Sequence, residues 1–127
     1  MARVLVVDDE ELVRDTVVQA LEGDGHEVVT ANDGQEAVAL FQACRADIVI
    51  TDILMPNKEG IQTIGELRQL DPGVKIIAMS GGGRVKNASF LDVAKQLGAH
   101  ETLKKPFQMT QLQQLVAKVL ESESWSA

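Results

Sequence analysis

Residues 4–11 read VLVVDDEE, a run of four apolar residues followed directly by four acidic ones. Similar apolar runs recur as IVI at 48–50 and VKIIAM at 74–79. Because apolar residues are continuous within each run, both faces of these strands are expected to be buried, as in the centre of a parallel sheet. The predicted strands are Arg3–Val7, Glu27–Thr30, Ile48–Thr51, Lys75–Met79 and Glu101–Leu103.

Between these strands, apolar residues recur at helical spacing, which predicts five helices with one buried face each. The residues that mark them are Val13, Val17, Ala20 and Leu21; Ala37, Leu40, Phe41 and Cys44; Ile61, Ile64 and Leu67; Phe90, Val93, Ala94 and Leu97; and Leu112, Leu115, Val116 and Val119. Five βα units favour an α/β, flavodoxin-like (βα)5 doubly wound sandwich. The strand order 2-1-3-4-5 is a general property of that fold. We assume it here together with the fold and do not derive it from the sequence.

The composition is that of a soluble globular domain. Hydrophobic residues make up 45% of the 127 positions, charged residues 24%, and the mean hydropathy is near zero. We expect one domain over residues 1–121, followed by a short polar tail at 122–127. The sequence has no apolar run long enough for a bilayer and no secretory-signal pattern at its start, which predicts a cytoplasmic protein.

The charge balance restricts the kind of partner. With a net charge of −7 and a pI near 4.7, the chain is not expected to bind nucleic acid or an anionic membrane directly. Its partners are predicted to be proteins.

Several single residues have alternative interpretations. Cys44 has no second cysteine with which to form a disulfide, and its place on a helical apolar stripe predicts burial. His26 and His100 precede predicted strands, away from the acidic residues, which favours surface or packing roles. For Trp125 two interpretations stay open: packing on the last helix, or contact with a partner.

Acidic residues follow two predicted strands. Asp8 and Asp9 follow the first strand, and Asp52 follows the third. In the adopted order these strands are neighbours, so the three carboxylates should converge at the carboxyl edge of the sheet, where their repulsion calls for a cation. Oxygen ligands without nearby histidine or cysteine favour Mg²⁺.

Two further strand ends add complementary groups. Ser80 follows the fourth strand, and Lys105 follows the fifth. A carboxylate beside Mg²⁺ and a lysine stays ionised and nucleophilic, while both cations neutralise a phosphoryl group in transfer. Asp52 is therefore the predicted phosphoryl acceptor, with the Ser80 hydroxyl as a hydrogen-bond partner of the phosphoryl oxygens.

Four motifs together resemble the receiver domain of two-component response regulators over nearly the whole chain. They are VLVVDDEE, TDILMP with Gly60 eight residues after Asp52, SGGG and LKKPF. The resemblance implies a direct metal ligand at Asp9, a ligand through water at Asp8, a carbonyl ligand at Leu54, phosphorylation at Asp52, a switch hydroxyl at Ser80 and a phosphoryl contact at Lys105. It also implies a cis peptide between Lys105 and Pro106.

The resemblance further implies a switch of the single-domain, chemotaxis-regulator type. A histidine kinase or histidine phosphotransfer protein would supply the phosphoryl group, and the modified domain, a monomer or weak dimer, would bind an unknown protein target differently. No enzymatic activity is expected beyond self-phosphorylation and self-dephosphorylation. An aspartyl-phosphate hydrolase is disfavoured because Asp8 and Asp9 are adjacent, where those enzymes carry Asp-x-Asp. A phosphorylation-independent interaction module is the remaining alternative.

The sequence departs from the family pattern in two places. The aromatic residue commonly found three positions before the active-site lysine is Thr102 here. Ser80 and Lys105 are 25 positions apart (105 minus 80), a few more than usual. We hypothesise that the longer loop at 81–89 becomes ordered on phosphorylation and presents Arg84 and Lys86 to a partner.

Overall fold

A computed structural model describes residues 2–53, 60–80, 96, 98–105 and 107–121 of the chain. Its strands are β1 (Arg3–Val7), β2 (Glu27–Ala31), β3 (Ile48–Asp52), β4 (Lys75–Ser80) and β5 (Glu101–Lys104). Its helices in that part are α1 (Glu11–Gly23), α2 (Gly34–Ala43), α3 (Gly60–Leu70) and α4 (Met109–Glu121). The four residues that mark the predicted fourth helix, Phe90, Val93, Ala94 and Leu97, lie outside the described residues, as does the loop at 81–89.

The strands form one parallel sheet in the order β2-β1-β3-β4-β5. Val4 of β1 pairs with Val28 on one side and with Ile48 on the other, which places β1 and β3 side by side. The flavodoxin-like fold and its strand order are thereby confirmed. Because the strands are parallel, all their carboxyl ends meet at one edge of the sheet.

The sheet is covered by two layers of helices. Successive β1 residues alternate between them, as the two-residue period of a strand requires. One core contains Val4 and Val6 with α1 and α4; the other contains Leu5 and Val7 with α2 and α3. The helical residues at these interfaces include Val17, Leu21, Leu112 and Val116 on one face, and Ala37, Phe41, Ile64 and Leu67 on the other. The prediction that the apolar strands are buried on both faces is confirmed.

The predicted burial of Cys44 is wrong. Helix α2 ends at Ala43, and Cys44 is its C-cap with extended dihedral angles (φ −153°, ψ 103°). Its side chain therefore leaves the helical stripe, is exposed and contacts the Arg3 guanidinium.

Both histidines bind backbone at the amino edge of the sheet, opposite the acidic residues. Nδ1 of His26 accepts a hydrogen bond from the Ala2 N–H (3.2 Å), and Nδ1 of His100 accepts one from the Ile76 N–H (3.3 Å). These contacts agree with the predicted packing roles.

Within the described part of the chain, no helix has both the length and the apolar character needed to cross a bilayer. The cytoplasmic location and the boundary between residues 1–121 and the tail at 122–127 stay predictions.

Two glycines provide a matched test of backbone strain. Gly98 has φ +123°, a backbone conformation that L side chains rarely adopt, and an added Cβ there would also displace the flexible end of the Arg68 side chain. Gly98→Ala is therefore expected to lower the free energy of unfolding by about 1–3 kcal/mol. Gly65 lies inside α3 with nothing within 4 Å of an added Cβ, so Gly65→Ala is expected to raise it by about 0.5–1 kcal/mol. Urea denaturation of both variants measures the contrast, and shifts of the same sign would contradict it.

Candidate functional site

The acidic residues predicted to converge do so at the carboxyl edge of the sheet. Asp8 directly follows β1, and Asp52 is the last residue of the neighbouring strand β3. One carboxylate oxygen from each of Asp8, Asp9, Glu10 and Asp52 lies within 4.8 Å of the others. Asp8 is fully buried and Asp52 is 4% exposed, whereas Asp9 and Glu10 are exposed. The cluster therefore has a buried floor and a rim in contact with solvent.

Hydrogen bonds fix the turn that carries Asp8. Its N–H donates to the Ala31 carbonyl (3.2 Å), and its Oδ1 accepts from the Glu10 N–H (2.9 Å). Nη1 of Arg14, one turn into α1, donates to the Asp8 carbonyl (2.6 Å). The carboxylate of Asp8 is thus oriented by its own turn, and the Asp8 backbone is also held by the first helix.

Lys105 joins the two buried carboxylates. Its Nζ lies 2.6 Å from Oδ2 of Asp8 and 3.1 Å from Oδ2 of Asp52, and it is only 9% exposed. Oε1 of Glu10 is farther away, at 3.7 Å. One ammonium from the end of β5 thereby binds β1 and β3 together at the centre of the site.

Burial and charge act in opposite directions on these groups. Burial raises the pKa of Asp8, and the hydrogen bonds from Lys105 and the Glu10 N–H offset this only in part. Burial alone would lower the pKa of Lys105, but the hydrogen bond to Asp8 and the charge of Asp52 outweigh it, so that pKa is raised. The ammonium therefore stays charged at neutral pH, while the Asp8 carboxylate is costly to keep ionised.

The donor set suits a hard divalent cation. Its four side chains offer only oxygen ligands, close enough together to share one ion. A single ammonium does not balance four carboxylates, and a bound cation would offset the burial cost that raises the pKa of Asp8. The residues present therefore fit the predicted metal.

Other predicted site residues are described only in part. Ser80 ends β4 at the same edge of the sheet, where its backbone is in register with Lys104, but its side chain lies outside the described atoms. Leu54 and Pro106 lie outside the described residues. Lys104 is exposed, whereas Lys105 is buried against the carboxylates; its role in contact with a phosphoryl group stays a prediction.

Sequence reasoning did not assign Glu10 or Arg14 to the site. Glu10 could have been included because it continues the acidic run after β1. Arg14 gave no comparable signal, since its contact is with a backbone carbonyl. Thr102 lies in β5 opposite Ala78, half-buried, at the position where the family commonly has an aromatic side chain.

The response regulator receiver domain family matches residues 4–117. The chain belongs to this family, whose members act as phospho-acceptor switches in two-component signalling. The resemblance inferred from the motifs is thereby confirmed.

Individual relatives agree with this assignment. The chemotaxis protein CheY of Thermotoga maritima is 36% identical over 118 residues, which cover 92% of this chain and 96% of that protein. The solved structure of the chemotaxis response regulator CheY4 of Vibrio cholerae has a TM-score of 0.85 and 32% identity, covering 94% of this chain and 98% of that one.

A third relative is much longer than this chain. The DNA-binding transcriptional regulator NtrC of Azospirillum brasilense is 32% identical over 123 residues, which are 97% of this chain but 25% of that protein. Receiver domains thus occur both nearly alone and within larger regulators.

Proposed function

We propose that Asp52 is the residue that receives the phosphoryl group, and that a histidine kinase or a histidine phosphotransfer protein supplies it. The observation that carries this proposal is the 3.1 Å contact between the Asp52 carboxylate and the Lys105 ammonium inside an acidic cluster. A carboxylate held beside a fixed cation stays ionised and can act as a nucleophile.

The transfer is a displacement at phosphorus. A carboxylate oxygen of Asp52 attacks the phosphorus of the donor phosphohistidine, and the bond between phosphorus and the protonated imidazole breaks. The products are an acyl phosphate on Asp52 and a neutral histidine on the donor. Lys105 lies beside the attacked position and neutralises charge on the phosphoryl oxygens during transfer.

Receiver domains bind Mg²⁺ at their acidic cluster, and we propose this ion here. Asp9 and Asp52 would bind it directly, Asp8 through water, and the Leu54 carbonyl would complete the protein ligands. When bound, Mg²⁺ supplies positive charge next to the phosphoryl oxygens. The burial of Asp8 and the exposure of Asp9 fit an ion held between the floor and the rim of the cluster.

We propose that the output is a change in binding to a protein target, with no catalysis beyond the domain's own phosphorylation and dephosphorylation. Ser80 would be the switch hydroxyl. Because Thr102 replaces the usual aromatic residue, the change must reach the surface without rotation of an aromatic ring. The net charge of −7 favours protein targets over nucleic acid or membrane.

Acetyl phosphate with Mg²⁺ tests the proposal. The intact mass is expected to rise by one phosphoryl group, and an excess of a metal chelator is expected to suppress the increase, because the four carboxylates repel an anionic donor. Absence of an adduct with acetyl phosphate and with phosphorylated phosphotransfer proteins would instead favour a phosphorylation-independent interaction module.

A further inference from the structure

Glu10 occupies the N-cap position of α1, but its side chain does not cap the helix. Its backbone is extended (φ −94°, ψ 116°), and within α1, which the structure describes in full, its carboxylate accepts no capping hydrogen bond. The backbone is held on both sides, because the Glu10 N–H donates to Oδ1 of Asp8 (2.9 Å) and the Glu10 carbonyl accepts from the Arg14 N–H (3.1 Å). A fixed backbone thus presents a carboxylate that the helix does not use.

This carboxylate lies beside the two side chains that are proposed to act on the phosphoryl group. Oε1 of Glu10 is 3.7 Å from Nζ of Lys105, and one Glu10 oxygen lies within 4.8 Å of a carboxylate oxygen of Asp52. The Glu10 side chain is 64% exposed, whereas those of Asp52 and Lys105 are buried. Glu10 therefore places negative charge on the solvent side of the acceptor.

A carboxylate in this place acts differently on phosphoryl donors of different charge. The attacking and leaving atoms of a phosphoryl transfer are roughly in line, so the leaving group of a donor attacked by the buried Asp52 lies towards solvent, on the side of Glu10. An acyl phosphate releases an anionic carboxylate there, which Glu10 repels. A protonated nitrogen donor carries positive charge next to its phosphoryl group, which Glu10 attracts.

We propose that Glu10 is a specificity-determining residue, which favours phosphoryl donors with a protonated nitrogen as leaving group over anionic acyl phosphates. The inference rests on the proposed phosphorylation of Asp52 and concerns the choice of donor. With either donor, a carboxylate oxygen of Asp52 forms the new bond to phosphorus. With a nitrogen donor the P–N bond breaks and its electron pair leaves on a neutral amine or imidazole. With an acyl phosphate the P–O bond breaks and the electron pair leaves on a carboxylate anion.

A comparison of acetyl phosphate with phosphoramidate tests this proposal, because the phosphoryl group is bound to a carboxylate oxygen in the first and to a protonated nitrogen in the second. The rate constant for adduct formation is measured by intact mass with each donor at saturating Mg²⁺. Glu10→Gln keeps the backbone hydrogen bonds and the size of the side chain but removes its charge. It is expected to raise the rate constant for acetyl phosphate by about fivefold and not to raise that for phosphoramidate. The ratio of the phosphoramidate to the acetyl phosphate rate constant should therefore fall.

Glu11→Gln is the matched control, because Glu11 is the next residue and is also exposed, but among the described residues it is not part of the carboxylate cluster. Its ratio is expected to equal that of the unmodified protein, and Glu10→Asp, which keeps the charge, is expected to retain the preference. An unchanged ratio in Glu10→Gln would overturn the proposal, as would an equal change in Glu11→Gln.

A lower rate constant for acetyl phosphate in Glu10→Gln would also overturn it and would assign Glu10 to the ligands of Mg²⁺. In each of these cases the unmodified protein still forms the adduct, so the proposed phosphorylation of Asp52 stands. Absence of an adduct with either donor on the unmodified protein would instead overturn both proposals.

Discussion

Asp52→Asn is expected to abolish the phosphoryl adduct formed with acetyl phosphate and Mg²⁺, to the detection limit of intact-mass measurement. The amide keeps the shape of the side chain and can still accept a hydrogen bond from Lys105, but it has no anionic oxygen with which to attack phosphorus. The loss should therefore occur in a fully folded protein, which urea denaturation of the same sample verifies.

Asp47→Asn is the matched control, since Asp47 directly precedes β3 whereas Asp52 ends it. Its exposed side chain lies at the opposite edge of the sheet, and the adduct is expected at the level of the unmodified protein. An adduct that persists in Asp52→Asn would show that another residue accepts the phosphoryl group. That result would contradict the assignment of Asp52 and leave the family membership untouched.

Lys105→Met is expected to lower the free energy of unfolding, measured in the presence of a chelator, by about 3–5 kcal/mol. Methionine fills similar space but leaves the buried carboxylates of Asp8 and Asp52 without the ammonium that now hydrogen-bonds to both. Lys118→Met is the control, because Lys118 is 69% exposed in its ion pair with Glu101, and its loss should stay below about 1 kcal/mol.

Mg²⁺ should stabilise Lys105→Met more than the unmodified protein, because a cation that binds only the folded state stabilises it. The unmodified protein already has one cation among the same oxygens. Equal losses for Lys105→Met and Lys118→Met would contradict the prediction.

The strands were predictable because burial on both faces leaves continuous apolar runs. All five strands begin at the predicted residue, and four of them extend one residue beyond the predicted end, to Ala31, Asp52, Ser80 and Lys104. Hydrogen bonding between strands uses the backbone, so it continues past the point where side chains become polar. That additional residue matters at Asp52, which is held by the sheet and not by a loop.

The part of the site that depends on which strands are neighbours could be predicted from the sequence and the fold. Asp8, Asp9, Asp52 and Lys105 meet because three strand ends meet, and the order of the strands is a property of the fold. The contact of Arg14 with a carbonyl and the exposure of Cys44 depend on local geometry: a turn after β1 in one case, and the last residue of α2 in the other. Periodicity carries no information about either.

The contact between Lys105 and Asp8 joins residues separated by 97 positions. Its formation therefore closes nearly the whole chain into a loop. Closing so long a loop costs chain entropy, so this contact is expected to form late in folding. Lys105 follows β5, the last strand and an edge of the sheet. Until β5 docks, the Lys105 ammonium is not positioned between the carboxylates of Asp8 and Asp52. During synthesis, this contact can form only after Lys105 has left the ribosome, so the three strand ends are joined only when nearly the whole domain has been made.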